Sequence, residues 1–208
     1  QLEHFPNLVA MFLARAEANG DKPFLWAKRN GDWTSISWSE AARQVAALSA
    51  SLLKLGLKSG DRVMLVSENR PEWLIADLGI MAAGCVTVPT YTTNTTRDHT
   101  HILGNSGAKA AIVSTQKLAK NLIPAVLFAS ECHHVIGIED IRTGQPNDAA
   151  EFHHWAELVA GSPDLDAVEE RMKTVGRDDL ACLIYTSGTG GAPRGVRQHH
   201  GSILANIE

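Results

Sequence analysis

Short apolar runs alternate with helical patterns along most of this chain, and this alternation constrains the fold more than any other feature. The first clear pair is an apolar strand over residues 62–67 and a helix over 71–83, which has proline near its start and Gly84 at its end. Further strands are predicted at 85–88, 108–114, 134–138 and 180–185. Further helices are predicted at 96–103, 152–159 and 165–172, together with a helix at 116–128 that Pro124 interrupts. Continuous apolar strands separated by helices are typical of parallel sheets. We therefore predict an α/β fold with a mostly parallel sheet flanked by helices.

The segments before and after this alternation are predicted from local signals. A helix is expected over residues 7–18, and two short strands at 24–27 and 33–38 flank Asn30-Gly31, which is typical of a hairpin turn. A second helix follows and ends at Gly56, residues 140–148 are predicted to be a loop, and a last helix begins at Gly201.

Composition excludes several classes of protein and partner. The chain has 208 residues, of which 44% are hydrophobic, and its formal charge is −4, so nucleic acid is not an expected partner. No run approaches the roughly 18 apolar residues of a membrane span, which leaves only peripheral contact with a membrane open. Three separated cysteines without a CxxC pair indicate reduced thiols and a cytoplasmic location.

A glycine-rich segment directly after the last strand carries the strongest chemical signal. It runs from Thr186 to Gly195. Within these ten residues there are four glycines, three hydroxyl side chains and one arginine. Glycines allow the backbone to approach a ligand, while hydroxyls, backbone amides and a guanidinium bind phosphate oxygens. The segment fits neither the Walker A pattern nor GxGxxG. A flexible turn without a ligand is the alternative, but the strand, the hydroxyls and the arginine together favour a polyphosphate site.

The same segment resembles the phosphate loop of the AMP-forming acyl-CoA synthetases, also called adenylate-forming ligases. The stretch from Tyr185 to Val196 follows the pattern Tyr-Thr-Ser-Gly-Thr-Thr-Gly-x-Pro-Lys-Gly-Val, except that Gly190 replaces Thr and Arg194 replaces Lys. Other segments also resemble this family, among them 60–63, 69–73, 84–91 and 102–109, so that the resemblance covers almost the whole chain. The Asn-Arg-Pro-Glu-Trp run at 69–73 is most similar to the long-chain fatty acid branch.

The resemblance implies a two-step reaction in which ATP and a fatty acid, or another carboxylic acid, give an acyl-adenylate, and coenzyme A then displaces AMP. ATP, Mg²⁺ and coenzyme A are the implied substrates and cofactor. It assigns phosphate binding to Thr186, Ser187, Gly188, Thr189, Gly190, Gly191, Arg194 and Gly195, and a catalytic place near the acyl carboxylate to His200.

The resemblance also implies how the chain is organised. Residues 1–208 correspond to the N-terminal portion of the large adenylate-forming domain, and we expect a truncated chain without the C-terminal domain and without ligase activity of its own. The adenine pocket, the metal-binding Glu, the ribose-binding Asp and the C-terminal Lys of the family fall beyond residue 208. Two alternatives stay open: a ligase for another carboxylic acid, and a non-catalytic nucleotide-binding or interaction module.

The remaining candidate residues favour structural roles. Nine histidines include the adjacent pairs 133–134, 153–154 and 199–200. Neighbours in such a pair point apart, so we predict surface or capping histidines and no metal site. Cys182, in the last strand, is expected to be a buried thiol rather than a nucleophile.

Overall fold

A computed structural model describes residues 4–143, 148–186 and 191–207. In chain order the elements are α1 (Leu8–Asn19), β1 (Pro23–Arg29), β2 (Asp32–Ser37), α2 (Trp38–Lys54), β3 (Arg62–Val66), α3 (Pro71–Ala82), β4 (Val86–Pro89), α4 (Thr96–Ser106), β5 (Ala110–Val113), α5 (Gln116–Phe128), β6 (His134–Gly137), β7 (Glu151–His154), α6 (Trp155–Val159), α7 (Leu165–Met172), β8 (Leu180–Thr186), β9 (Arg194–His199) and α8 (His200–Leu204). None of the helices in the described ranges combines the length and hydrophobicity needed to cross a lipid bilayer.

A seven-stranded sheet forms the centre of the fold, in the order β7-β6-β5-β3-β4-β8-β9. Its first six strands are parallel, and β9 runs antiparallel to β8. Val63 and Leu65 of β3 face one hydrophobic core, whereas Met64 and Val66 face another. Burial on both faces explains why β3 reads as a continuous apolar run. The predicted α/β class is confirmed.

Helices cover both faces of this sheet. Buried side chains of α1, α2, α3 and α7 share the core of one face, and those of α4 and α5 share the core of the other. Asn7 fixes the start of α1, because its Oδ1 accepts from the amide of Ala10 and its Nδ2 donates to the carbonyls of Met172 and Val175. The start of α1 is therefore held by residues 165 and 168 positions further along the chain.

The predicted hairpin is also present. β1 and β2 pair antiparallel around Asn30 and Gly31, whose φ angles are 53° and 90°. Two successive positive φ values define the type I′ turn, which Asn-Gly favours because neither residue is strongly penalised in that conformation.

Four details differ from the sequence-based predictions. The helix predicted over 152–159 begins only at Trp155, because residues 151–154 pair as β7 with β6. Strand β9 was not predicted, since its residues are mostly polar and mostly exposed. Helix α5 continues through Pro124 instead of being interrupted there. Strand β8 is buried mainly at Ala181 and Tyr185 rather than along its whole length. The predicted loop at 140–148 lies partly outside the described residues.

Candidate functional site

The predicted phosphate loop connects the last two strands of the sheet. β8 ends at Thr186 and β9 begins at Arg194, and these two residues lie opposite each other in the antiparallel pair. Both residues are exposed. Because β8 is parallel to β4, Thr186 lies at the carboxyl edge of the parallel strands, where open α/β sheets bind their ligands. The hairpin thus presents a hydroxyl and a guanidinium side by side at that edge.

The predicted phosphate-binding residues divide into two groups. Thr186, Gly191, Arg194 and Gly195 are described by the structure, while Ser187, Gly188, Thr189 and Gly190 lie outside the described residues. Arg194 and Gly195 belong to strand β9 and not to the loop in which the sequence placed them. The reason is their backbone pairing with Thr186 and Tyr185, a partner choice that local sequence does not specify.

Helix α4 contacts the end of the loop through His101. The Nε2 of His101 lies 2.8 Å from the carbonyl oxygen of Pro193, so this nitrogen donates a hydrogen bond in the tautomer that carries its proton there. The His101 ring also meets the ring of Tyr185 edge-on, with centroids 6.5 Å apart. His101 therefore fixes the point at which the loop enters β9.

A second contact from α4 holds the strand before the loop. The hydroxyl of Tyr185 donates to Oδ1 of Asn105 at 2.6 Å, and burial raises the pKa of Tyr185, which keeps the phenol protonated as a donor. Gly195 lies opposite Tyr185, and a Cβ atom at this position would stand 3.1 Å from Cζ of the ring. Glycine at 195 therefore lets β9 pack closely on the aromatic ring. This packing accounts for a glycine at position 195 even if the residue binds no phosphate.

Sequence reasoning missed His101 and Asn105 as parts of this site. The two residues are four positions apart on α4, so that they share one face of the helix. The spacing indicates that the two side chains lie on the same face of the helix. Nothing in the local sequence indicates that this face packs against a strand about eighty residues further along the chain.

His200 is not brought to the phosphate loop. It begins α8, at the far end of β9 from Arg194, a separation of about 17–20 Å at roughly 3.3 Å per strand residue. The residue is 2% exposed, and its Nδ1 accepts a hydrogen bond of 3.2 Å from the amide of Leu8. Burial lowers the pKa of His200 to about 4, so the ring is a neutral acceptor. In the described chain His200 is a buried anchor for α1, and its expected place beside an acyl carboxylate stays a prediction.

A separate charged cluster lies at the carboxyl end of β3. Arg70 contacts the carboxylates of Glu68, Glu72 and Glu139 at 2.9–3.0 Å, and Glu72 also binds Arg29 of β1 at 2.8 Å. Clefts of about 600 and 430 Å³ flank this cluster, beside the β1–β2 hairpin. The Arg29–Glu72 pair links the β1–β2 hairpin to the start of α3, so the cluster has a structural role.

The cysteine and histidine predictions have different outcomes. Cys182 is partly buried, and burial raises its pKa to about 11, which disfavours a nucleophilic thiolate. Within the pair 153–154, His154 is exposed while His153 is half-buried, as expected for neighbours that point apart. However, His153 meets His134 of a different pair at 3.0 Å, which reasoning confined to adjacent pairs did not anticipate.

Comparison with known proteins identifies related sequences. The AMP-binding enzyme family matches residues 12–208. The chain is 30% identical over 205 residues to the long-chain-fatty-acid–CoA ligase FadD15 of Mycobacterium tuberculosis, covering 97% of this chain and 32% of that protein. It is 28% identical over 196 residues to the long-chain-fatty-acid–CoA ligase ACSBG2 of Xenopus laevis, covering 93% of this chain and 26% of that protein. The chain thus spans about a third or less of the length of these relatives.

Solved structures show the same fold. The acetoacetyl-CoA synthetase from Streptomyces lividans superposes with a TM-score of 0.79 at 23% identity, over 96% of this chain and 31% of that protein. An anthranilate CoA ligase, AuaEII, in complex with anthranoyl-AMP gives a TM-score of 0.78 at 20% identity, over 96% of this chain and 36% of that protein.

Proposed function

Because the chain belongs to the AMP-binding enzyme family, we propose that it holds the phosphates of ATP in an AMP-forming acid–thiol ligase. In this reaction a carboxylate oxygen attacks the α-phosphorus of ATP, the bond to the β-phosphate oxygen breaks, and pyrophosphate leaves. The thiol of coenzyme A then attacks the acyl carbon and releases AMP. The overall products are an acyl-CoA thioester, AMP and pyrophosphate.

The observation that carries this proposal is the β8–β9 hairpin. It places Arg194 opposite Thr186 at the carboxyl edge of the sheet and rests on His101 and Asn105 of α4. A guanidinium fork binds phosphate oxygens in a bidentate manner, and a fixed strand positions it without reorganisation during the reaction. We assign Arg194 and Thr186 to charge stabilisation on the leaving pyrophosphate.

The same residues are a poor match for Mg²⁺. Residues 186–195 contain hydroxyls and an arginine but no carboxylate, which is the side-chain ligand that Mg²⁺ prefers in proteins. This donor set fits phosphate oxygens and does not fit the metal ion by itself. We therefore place no step of the reaction on a metal bound by this loop.

The acid that we propose is a long-chain fatty acid. Support comes from relatives whose names specify long-chain fatty acids, at 30% identity or below. The structural neighbours act on acetoacetate and anthranilate, by their names, so another carboxylic acid is the second candidate. We also propose a cytoplasmic location, for which the three free thiols are the support.

Exchange of labelled pyrophosphate into ATP by the full-length protein tests this function. We expect exchange to require a carboxylic acid, with long-chain fatty acids supporting it better than benzoate or acetoacetate. Arg194→Ala should reduce exchange on the order of 10²-fold, whereas Arg194→Lys should be mild because it retains the charge. The matched control is Arg197→Ala, which removes an exposed arginine three residues further along β9, on the opposite side of the strand.

Three results would contradict the proposal in different ways. Exchange with aromatic or short acids alone would exclude the long-chain assignment and leave the ligase. ATP binding without any acid-dependent exchange would favour a non-catalytic nucleotide-binding module. Equal losses in the Arg194→Ala and Arg197→Ala variants would remove the specific phosphate role of Arg194.

A further inference from the structure

Two neighbouring strands bring three potential metal ligands to one place. His134 is the first residue of β6, and Glu151 and His153 lie on β7. The parallel register sets His134 beside Glu151 and Ile136 beside His153. Since alternate residues of a strand face the same side, all three side chains project from one face of the sheet. This is the amino edge of the parallel strands, the opposite edge from the phosphate loop.

The ligand atoms have separations suited to a single ion. Nδ1 of His134 lies 3.0 Å from Nε2 of His153, and Oε2 of Glu151 lies 3.9 and 3.8 Å from these two nitrogens. Ligands bound tetrahedrally at the usual zinc distances are about 3.3 Å apart. The Glu151 side chain is 74% exposed, so that it can rotate toward the rings without disturbing the core.

We propose that His134, Glu151 and His153 bind one divalent transition-metal ion of the zinc type. Two imidazoles and one carboxylate form a nitrogen-rich ligand set that favours zinc and its neighbours over Mg²⁺ or Ca²⁺, which prefer oxygen ligands alone. Three protein ligands leave the fourth position to water on the exposed side. The site is independent of the ligase function, because it lies at the other edge of the sheet.

The surroundings of the rings fit this assignment. The two imidazoles are 15% and 18% exposed, so they are largely fixed by packing. Burial and the nearby His153 ring lower the pKa of His134, which favours the neutral form that binds metals. The backbone of Leu55 at the end of α2 is a further polar neighbour of His134 and partly opposes this lowering. Polar groups next to a metal-binding histidine help to fix its ring.

A direct hydrogen bond between the two rings is the competing explanation. It accounts for the 3.0 Å separation, but it gives no role to Glu151, whose oxygen is too far from either ring for a hydrogen bond. An ion bound by all three groups would attract this carboxylate inward. The contribution of Glu151 to metal binding therefore distinguishes the two explanations.

Calorimetric titration with zinc chloride tests the site, using the full-length protein after treatment with a chelator. Wild type should bind one ion more per chain than His153→Gln, and Glu151→Gln should weaken binding at this site by at least about tenfold. The control is His154→Gln, which removes the exposed neighbour on β7 and should leave both affinity and stoichiometry unchanged.

A separate measurement distinguishes loss of the metal site from misfolding of a variant. Circular dichroism in the presence of chelator checks that each variant keeps the wild-type fold, and Glu151→Gln changes an exposed residue that the core does not require. An affinity unchanged by Glu151→Gln, or a stoichiometry unchanged by His153→Gln, would overturn the proposal. Equal loss of binding in His154→Gln would do the same.

Discussion

The buried histidine at the start of α8 should make the first helix sensitive to acid. Nδ1 of His200 accepts the amide of Leu8, which is one of the four helix-initial donors that have no partner within α1. Protonation of Nδ1 removes this acceptor and leaves a charge in a buried place. The pKa of His200 is lowered from 6.5 to about 4, with burial as the largest cause.

The sign and size of the effect follow from this difference. The unfolded chain protonates His200 below about pH 6.5, whereas the folded chain does so only near pH 4. The contribution of His200 to the free energy of unfolding is therefore constant above pH 6.5 and falls as the pH drops toward 4. At about pH 5 the protonation of the unfolded form alone favours opening by about 2 kcal/mol relative to pH 7.5. The full difference, reached below pH 4, is about 3 kcal/mol.

Hydrogen exchange of the Leu8 amide measures this opening directly, after correction for the intrinsic effect of pH on exchange. Wild type should lose about 2 kcal/mol of protection between pH 7.5 and 5. His200→Asn keeps an acceptor oxygen but does not titrate, so its protection should change far less. His199→Asn, at the exposed neighbouring position, should behave like wild type. A wild-type helix that keeps its protection at pH 5, or an equal loss in His200→Asn, would refute the reasoning.

Two further predictions concern packing and the phosphate loop. Gly79→Ala should lower the free energy of unfolding by about 1–3 kcal/mol, because the new Cβ would lie 2.5 Å from Cδ2 of Leu48. Gly104→Ala is its control, since this helical position has open space and gains up to about 1 kcal/mol from helix propensity; denaturant unfolding compares the two. His101→Ala should raise KM for ATP several-fold through loss of one hydrogen bond of about 1 kcal/mol, as measured by pyrophosphate exchange. An unchanged KM would show that the loop keeps its place without His101.

Much of the fold could be predicted because it depends on local patterns. The continuous apolar run of β3 reflects burial on both faces, and Asn30-Gly31 specifies its own turn. These residues determine their conformation largely through neighbours in sequence, so the period and the turn chemistry were sufficient.

The parts that were missed depend on partners distant in sequence. Strand β9 has mostly polar residues, with Val196 as its one large apolar side chain, and forms because its backbone pairs with β8. His134 and His153 meet across two strands, nineteen residues apart, which no adjacent-pair rule detects. In each case the deciding contact was tertiary, which the local pattern does not contain.

The long-range anchoring of α1 has a consequence for the order of events during synthesis. The amide of Leu8 donates to a histidine ring 192 residues further along the chain, and the side chain of Asn7 donates to carbonyls 165 and 168 residues further along. Chain growth proceeds from the amino terminus, so α1 leaves the ribosome long before its acceptors exist. Phe12 of its apolar face can pack on Phe24 and Trp38, which follow soon after, but the contacts at the start of the helix have a high sequence separation and form slowly. The start of α1 is thus among the last parts of the described chain to be fixed, although its residues precede almost all of the others.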